Sequence, residues 1–279
     1  MKTNTAKRII KVLRTGSSLP LVVENKGGIK YFVKLNRGMS NPYAGITEYT
    51  ASGIGNELGL PVTKPEIMLI DKTADMSLID QEVRDMVKKS FGYNLAFPYL
   101  ENITDWKFKE KNSHDPVFND LFIFDLILLN IDRTKSNSNI LLSENKLISF
   151  DYEISMLVLG IVQRKDFHLS DLVLKQLKQN PFYYEPIKED SVRSFQEKMK
   201  NIDIRKIISE LPVEWLSQNK LDALKLSDDL YSSFKSELYF EILERLPAIK
   251  EESNEERKKR LLNNKIKFEK TSGLNLGKR

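Results

Sequence analysis

Apolar and polar positions alternate or cluster like strands over residues 9–13 and 19–24, and again along Tyr31-Phe32-Val33-Lys34-Leu35. A period of two sets Tyr31, Val33 and Leu35 on one face of the third strand and Phe32 and Lys34 on the other. Asn25-Lys26-Gly27-Gly28 is a turn signal between the second and third segments. These segments predict an antiparallel meander with Arg14-Thr15-Gly16-Ser17-Ser18 as the polar turn at one end. A helix follows over 43–58, opened by Asn41-Pro42 and stopped by Gly59-Leu60-Pro61. Gly53 and Gly55 inside it each cost about 1 kcal/mol relative to Ala, so this helix needs tertiary packing, and its small residues point to close approach of another element.

Further on, the pattern predicts a strand at 67–70, a polar helix or insertion at 75–89, and a strand and hinge at 91–100. The charged segment 102–113 reads as a short surface helix or loop. The apolar segment 116–131 reads as a buried helix. Asp125 within it is costly unless hydrogen-bonded, and reads as a buttress for the polar loop that follows. Segments 139–142 and 147–150 form a hairpin. From Asp166 onward apolar residues recur at threes and fours, predicting helices over 169–179, 190–200, 204–211 and 221–246, the last in one or two pieces. The fold class expected is α+β with two lobes: an antiparallel-sheet N-lobe over 1–98, a mostly helical C-lobe over 99–256, and a basic tail over 257–279.

Composition narrows the function classes. With 279 residues and 41% hydrophobic content the chain can bury a sizeable core. There is no cysteine, hence no disulfide framework and no thiolate metal site, and His114 and His168 are too few for a histidine-rich one. Apolar stretches fall short of the roughly 18 residues of a membrane span, and no apolar signal core follows the N-terminus. A soluble cytoplasmic protein is expected. The net charge of +5 is uneven: residues 257–279 hold nine basic residues against one acidic, leaving the rest mildly acidic. The tail therefore reads as a solvated helix running into disorder, with nucleic acid or anionic membrane as minority partners.

The candidate chemistry lies after the apolar helix. Asp132 and Asn137 are five residues apart, and Asp151 follows the next apolar segment. Acid, amide and acid in this order occur in protein-kinase catalytic loops. Phosphoryl transfer needs a carboxylate beside the attacking hydroxyl, a role that suits Asp132. It also needs oxygen ligands for a hard Mg2+ ion, a role that suits Asn137 and Asp151. A strand lysine followed by a helix glutamate completes the order. Glu48 and Glu57 are nine positions apart, about 180° around a helix, so only one can face Lys34, and Glu48 shares the small-residue face.

Taken together, the Gly16-Ser17-Ser18 loop, Lys34, Glu48 with Leu58-Gly59-Leu60-Pro61, Phe124-Asp125, Asn130-Ile131-Asp132-Arg133, Asn137-Ser138-Asn139 and Phe150-Asp151-Tyr152-Glu153 resemble the HipA-like kinases, nearest to the short branch without an extra N-terminal subdomain. The resemblance covers about 8–201. It implies an ATP- and Mg2+-dependent serine/threonine kinase, often the toxin of a toxin–antitoxin pair with an antitoxin as inhibitory partner. Under it, Lys34 is the phosphate-binding lysine, Glu48 its partner, Asp132 the catalytic base, Asn137 and Asp151 the metal ligands, and Gly16, Ser17 and Ser18 the phosphate-cradling loop. It also implies silencing by autophosphorylation at Ser17 or Ser18, since a phosphate there adds about −1.5 to −2 charge where ATP phosphates must sit. Three positions depart from ordinary kinases. There is no Gly-x-Gly-x-x-Gly, Asn130-Ile131-Asp132-Arg133 replaces His-Arg-Asp, and Tyr152-Glu153 replaces Phe-Gly. A nucleotide-binding protein without transfer activity, or a lipid or small-molecule kinase, are the alternatives.

Overall fold

The N-terminal polar and apolar segments close into a barrel. The computed structural model describes residues 3–13, 19–39, 41–107, 116–144, 146–165, 169–183 and 187–249. In chain order the first elements are β1 (Thr3–Val12), β2 (Leu21–Asn25), β3 (Lys30–Lys34), α1 (Ala44–Glu57), β4 (Glu66–Ile70), α2 (Gln81–Lys89) and β5 (Gly92–Pro98). Then come β6 (Ile103–Asp105), α3 (Pro116–Leu128), β7 (Ile140–Ser143), β8 (Lys146–Ser149) and α4 (Met156–Gln163). The remaining helices are α5 (Asp171–Lys178), α6 (Glu189–Lys200), α7 (Ile204–Ser209), α8 (Val213–Gln218), α9 (Ala223–Phe234) and α10 (Leu238–Arg245). The fold is α+β, strand-rich at the N-terminal side and helical in the remainder. Among the described residues no helix is long and apolar enough to cross a membrane.

The barrel order is β1-β2-β3-β5-β4. The turn between β2 and β3 is held by Asn25 Oδ1, which accepts from the backbone N–H groups of Gly27 and Ile29, both at 2.9 Å. The predicted meander is correct for the first three strands, but β1 also pairs in parallel with β4, Thr3 through Thr5 against Ile67 through Leu69. That pairing closes the sheet. It carries β1 back into Thr-Asn-Thr, a polar stretch with no strand pattern of its own. Tyr31, Val33 and Leu35 point into the barrel with Ile9, Leu21, Val23, Met68 and Ala96, whereas Phe32 packs against the second core. The segment expected as a polar helix or insertion contains α2. Asp80 caps it by accepting from Val83 N at 2.9 Å, and Val83 and Val87 seal the barrel core.

α1 is buried along its whole length from Ala44 to Gly55, which explains why it lacks an apolar stripe. It packs on β5, α4 and α7. A Cβ at Gly53 would meet Ile207 Cγ2 at 2.8 Å, and one at Gly55 would meet Val62 Cγ2 at 2.7 Å and Phe124 Cε1 at 3.0 Å. Both glycines are therefore close-packing positions. Tyr49 Oη donates to Glu210 at 3.0 Å, and Trp215 Nε1 to the Tyr93 carbonyl at 3.1 Å, so α1 and β5 are tied to the C-terminal helices.

The expected surface helix or loop over 102–113 is, at Ile103–Asp105, an edge strand. β6 pairs with β7, and β7 with β8, in a small antiparallel sheet. All three β6 side chains are exposed, so no apolar pattern marks it. α8, around the buried Trp215 and Leu216, was not anticipated either. The polar turn at 14–18 and the tail at 257–279 lie outside the described residues.

Candidate active site

Lys34 leaves the barrel wall on the face opposite Tyr31 and Val33, and its ammonium reaches two elements far apart in sequence. Nζ lies 2.8 Å from Glu48 Oε2 on α1 and 2.7 Å from Asp151 Oδ1 beyond β8. Glu153 Oε2 is 3.6 Å away. Glu57, the competing glutamate, is exposed and faces Lys206 at 3.6 Å. Asp151 is brought here by backbone pairing. Ser149 N donates to the Pro61 carbonyl at 2.6 Å and Thr63 N to the Ser149 carbonyl at 3.0 Å, which ties the end of β8 to the chain leaving α1. Asp151 has φ of 64°, in the left-handed region that non-glycine residues occupy rarely.

The opposite wall is built on Asp125. α3 ends with Leu129 at φ 53°, and Asn130 N donates back to the Asp125 carbonyl at 2.7 Å, a Schellman-like stop made without glycine. The Asp125 carboxylate receives Asn130 Nδ2 at 2.8 Å, Arg133 Nε at 2.6 Å and Asn180 Nδ2 at 2.7 Å. Arg133 is fully buried. It donates onward to the carbonyls of Ser138 and Asn139 at 2.6 and 3.0 Å, and to Ser149 Oγ at 2.7 Å. One guanidinium thus fixes both ends of the polar loop and the far strand of the hairpin. A buried charge satisfied this completely sets geometry more than net stability.

Asp132 sits between these fixed points. Asn137 Nδ2 donates to its Oδ2 at 3.0 Å and its carbonyl at 3.2 Å, and Asn139 Nδ2 donates to the same Oδ2 at 3.0 Å. Asn137 donates through its nitrogen, so its amide oxygen is directed away from Asp132. Phe150 N donates to the Asn139 carbonyl at 3.1 Å, continuing the Ile140–Ser149 pairing. The two ends of the hairpin therefore present the Asn137–Asn139 loop and Asp151 side by side.

The charges follow from the count of groups. Burial lowers the Lys34 pKa, but Glu48, Asp151 and Glu153 more than reverse this, so the ammonium is held above its ordinary range. One cation cannot neutralise three carboxylates, and the surplus falls on the most buried. Burial pushes Glu48 up, Lys34 opposes, and Asp151 and Glu153 push it up again, to about 7. Arg133 rises above its ordinary value; burial opposes this and Asp125 overcomes it. Tyr152 is raised by burial.

Among the residues singled out from sequence, Lys34, Glu48 and Asp151 form one cluster, and Asp132 and Asn137 form an adjoining one. Gly16, Ser17 and Ser18 lie outside the described residues. Sequence reasoning missed Asn139, Glu153 and Asn180. The Asn-x-Asn spacing could have flagged Asn139, since alternate residues of an extended segment share a face. Glu153 appeared only as a departure from Phe-Gly. Asn180 has no local signal, because its partner Asp125 is 55 positions away.

Comparison with known proteins places this chain in a family. A search of curated proteins found no match. Among solved structures, a Helicobacter pylori proinflammatory kinase, CtkA, is similar with a TM-score of 0.48 and 14% identity, over 89% of this chain and 99% of that one. The profile of the HipA-like kinases matches residues 6–238 of the 279. The chain belongs to the HipA-like kinases.

Proposed function

We propose that the protein is an ATP- and Mg2+-dependent kinase that transfers the γ-phosphoryl group to a serine or threonine hydroxyl of a protein. The observation that carries this reading is the Lys34 ammonium, bound at 2.8 and 2.7 Å to Glu48 on α1 and to Asp151 beyond β8. A lysine–glutamate pair beside a metal-binding aspartate is the arrangement that kinases need in place before transfer.

The residues fit the ion. Asn137 and Asp151 offer hard oxygen donors, and Glu48 Oε1 and Glu153 Oε2 are buried without a hydrogen-bond partner, leaving negative charge that a cation would balance. Held by Asn137 and Asp151, Mg2+ would neutralise phosphate charge. Lys34 orients the nucleotide phosphates, and Glu48 fixes Lys34. Asp132 accepts the proton of the attacking hydroxyl at a carboxylate held in place by Asn137 and Asn139. Residues 1–98 and 99–256 act as the two lobes of the enzyme, which we take to be cytoplasmic. Autophosphorylation at Ser17 or Ser18, and restraint by an antitoxin-type partner, extend the reading; phosphopeptide mapping after incubation with ATP tests the former.

The experiment is radiolabelled ATP turnover by the full chain, with and without Mg2+. Turnover is expected to require the metal and to fall about 10²–10⁴-fold in Asp132→Asn with an unchanged melting curve. Metal-independent turnover retained in Asp132→Asn would contradict the reading.

A further inference from the structure

The carboxylate at position 153 changes the electrostatics of the phosphate pocket. Ordinary kinases carry glycine two residues after the metal-binding aspartate; this chain carries Glu153 there. Its side chain is 10% exposed, its Oε2 has no hydrogen-bond partner, and that atom lies 3.6 Å from Lys34 Nζ. Glu48, Asp151 and Glu153 bring carboxylate oxygens within 4.8 Å of one another. Glu48 Oε1 is likewise buried and unpartnered. Three acids around one ammonium leave a surplus of negative charge where few donors remain to absorb it.

We propose that Glu153 makes nucleotide binding conditional on the divalent cation, so that the pocket selects metal–nucleotide over free nucleotide. The inference rests on the reading that Lys34 receives nucleotide phosphates. A free triphosphate is strongly anionic, and on entering it meets an ammonium already shared by three carboxylates. Competition for Lys34 and repulsion by the surplus charge both oppose it. Asp151, if held by a divalent cation, would release Lys34 for phosphate, and the added positive charge would offset the surplus. Glu153 is a specificity-determining residue that acts on the phosphates through field and through Lys34. A unit charge several ångströms away, at an effective dielectric of about 20, changes affinity by roughly tenfold or more. Metal and nucleotide are then coupled, each strengthening the other by the same factor.

The test measures AMP-PNP binding to the full chain by isothermal titration, in EDTA and in excess MgCl2, for wild type, Glu153→Gln and Asn137→Ala. Wild type is expected to bind at least about tenfold more weakly in EDTA. Glu153→Gln is expected to tighten binding in EDTA by about tenfold and to shrink the ratio of the two affinities accordingly. Asn137→Ala is expected to shrink the ratio from the other side, by weakening binding in MgCl2. A merely structural role for Glu153 would never tighten binding. Glu153→Gln binding in EDTA at or below the wild-type affinity overturns the inference while leaving the nucleotide reading intact. Should that variant lose its cooperative melt, the wild-type ratio decides, and equal affinities in the two conditions overturn the inference. No binding in either condition overturns the inference and the nucleotide reading together.

Discussion

Arg133 Nε lies 2.6 Å from Asp125 Oδ2, with neither side chain exposed to solvent. This pair joins the end of α3 to the polar loop and, through Ser149, to the hairpin. Removing one partner leaves an uncompensated buried charge. Asp125→Ala is therefore expected to cost about 3–5 kcal/mol in urea unfolding. Lys225→Ala, which breaks an exposed pair with Asp229, should stay within about 0.5 kcal/mol. Similar costs at the two sites would contradict the buttress.

The glycines of α1 provide a second prediction. Gly→Ala within a helix ordinarily gains about 1 kcal/mol. At Gly55 the new methyl meets Val62 and the Phe124 ring at 2.7 and 3.0 Å, so Gly55→Ala should instead destabilise by about 1–3 kcal/mol. Gly53→Ala, which presses on one Ile207 methyl, should cost less. A stabilised Gly55→Ala would show that α1 does not pack this tightly.

The fold was legible where a local pattern carried it. Alternation through Tyr31–Leu35 separated the barrel core from the face that carries Phe32 and Lys34, and the hairpin after Asn139 was visible as two apolar runs around a turn. The parallel closure of β1 on β4 was not, because it pairs polar residues with a partner some sixty positions away. β6 was hidden for a similar reason: it contributes only backbone to its sheet. At the site, residue type and spacing pointed to Lys34, Glu48, Asp132, Asn137 and Asp151. Glu153 escaped because its significance depends on where the Lys34 ammonium lies, and Asn180 because it reaches Asp125 from a distant turn.

Glu48 predicts a pH signature. Its carboxyl is pushed up to about 7 from an ordinary 4.5, so between these values the folded state binds more protons than the unfolded state. Stability from this group is full below pH 4.5 and is lost as pH rises through about 7. Over that window wild type should lose stability relative to Glu48→Gln, whatever constant offset the lost ion pair adds. Urea midpoints across a pH series check this, and parallel curves would contradict it.

Asn139 predicts a kinetic split. It holds Asp132 Oδ2 at 3.0 Å without being a proposed metal ligand. Asn139→Ala should lower kcat by about tenfold, because Asp132 loses part of its orientation, while nucleotide affinity in MgCl2 stays near wild type. Initial-rate kinetics with direct binding measurements separate the two. A loss confined to affinity would assign Asn139 to the nucleotide instead.

The central claim is that two clusters, one around Lys34 and one around Asp132, face a single metal–nucleotide complex. The most direct measurement is a crystal structure of the full chain with Mg2+ and AMP-PNP. The account predicts an ion coordinated by Asn137 and Asp151, Lys34 on the nucleotide phosphates, and the terminal phosphate facing Asp132. An ion bound away from Asn137 and Asp151, or a terminal phosphate turned from Asp132, would contradict it.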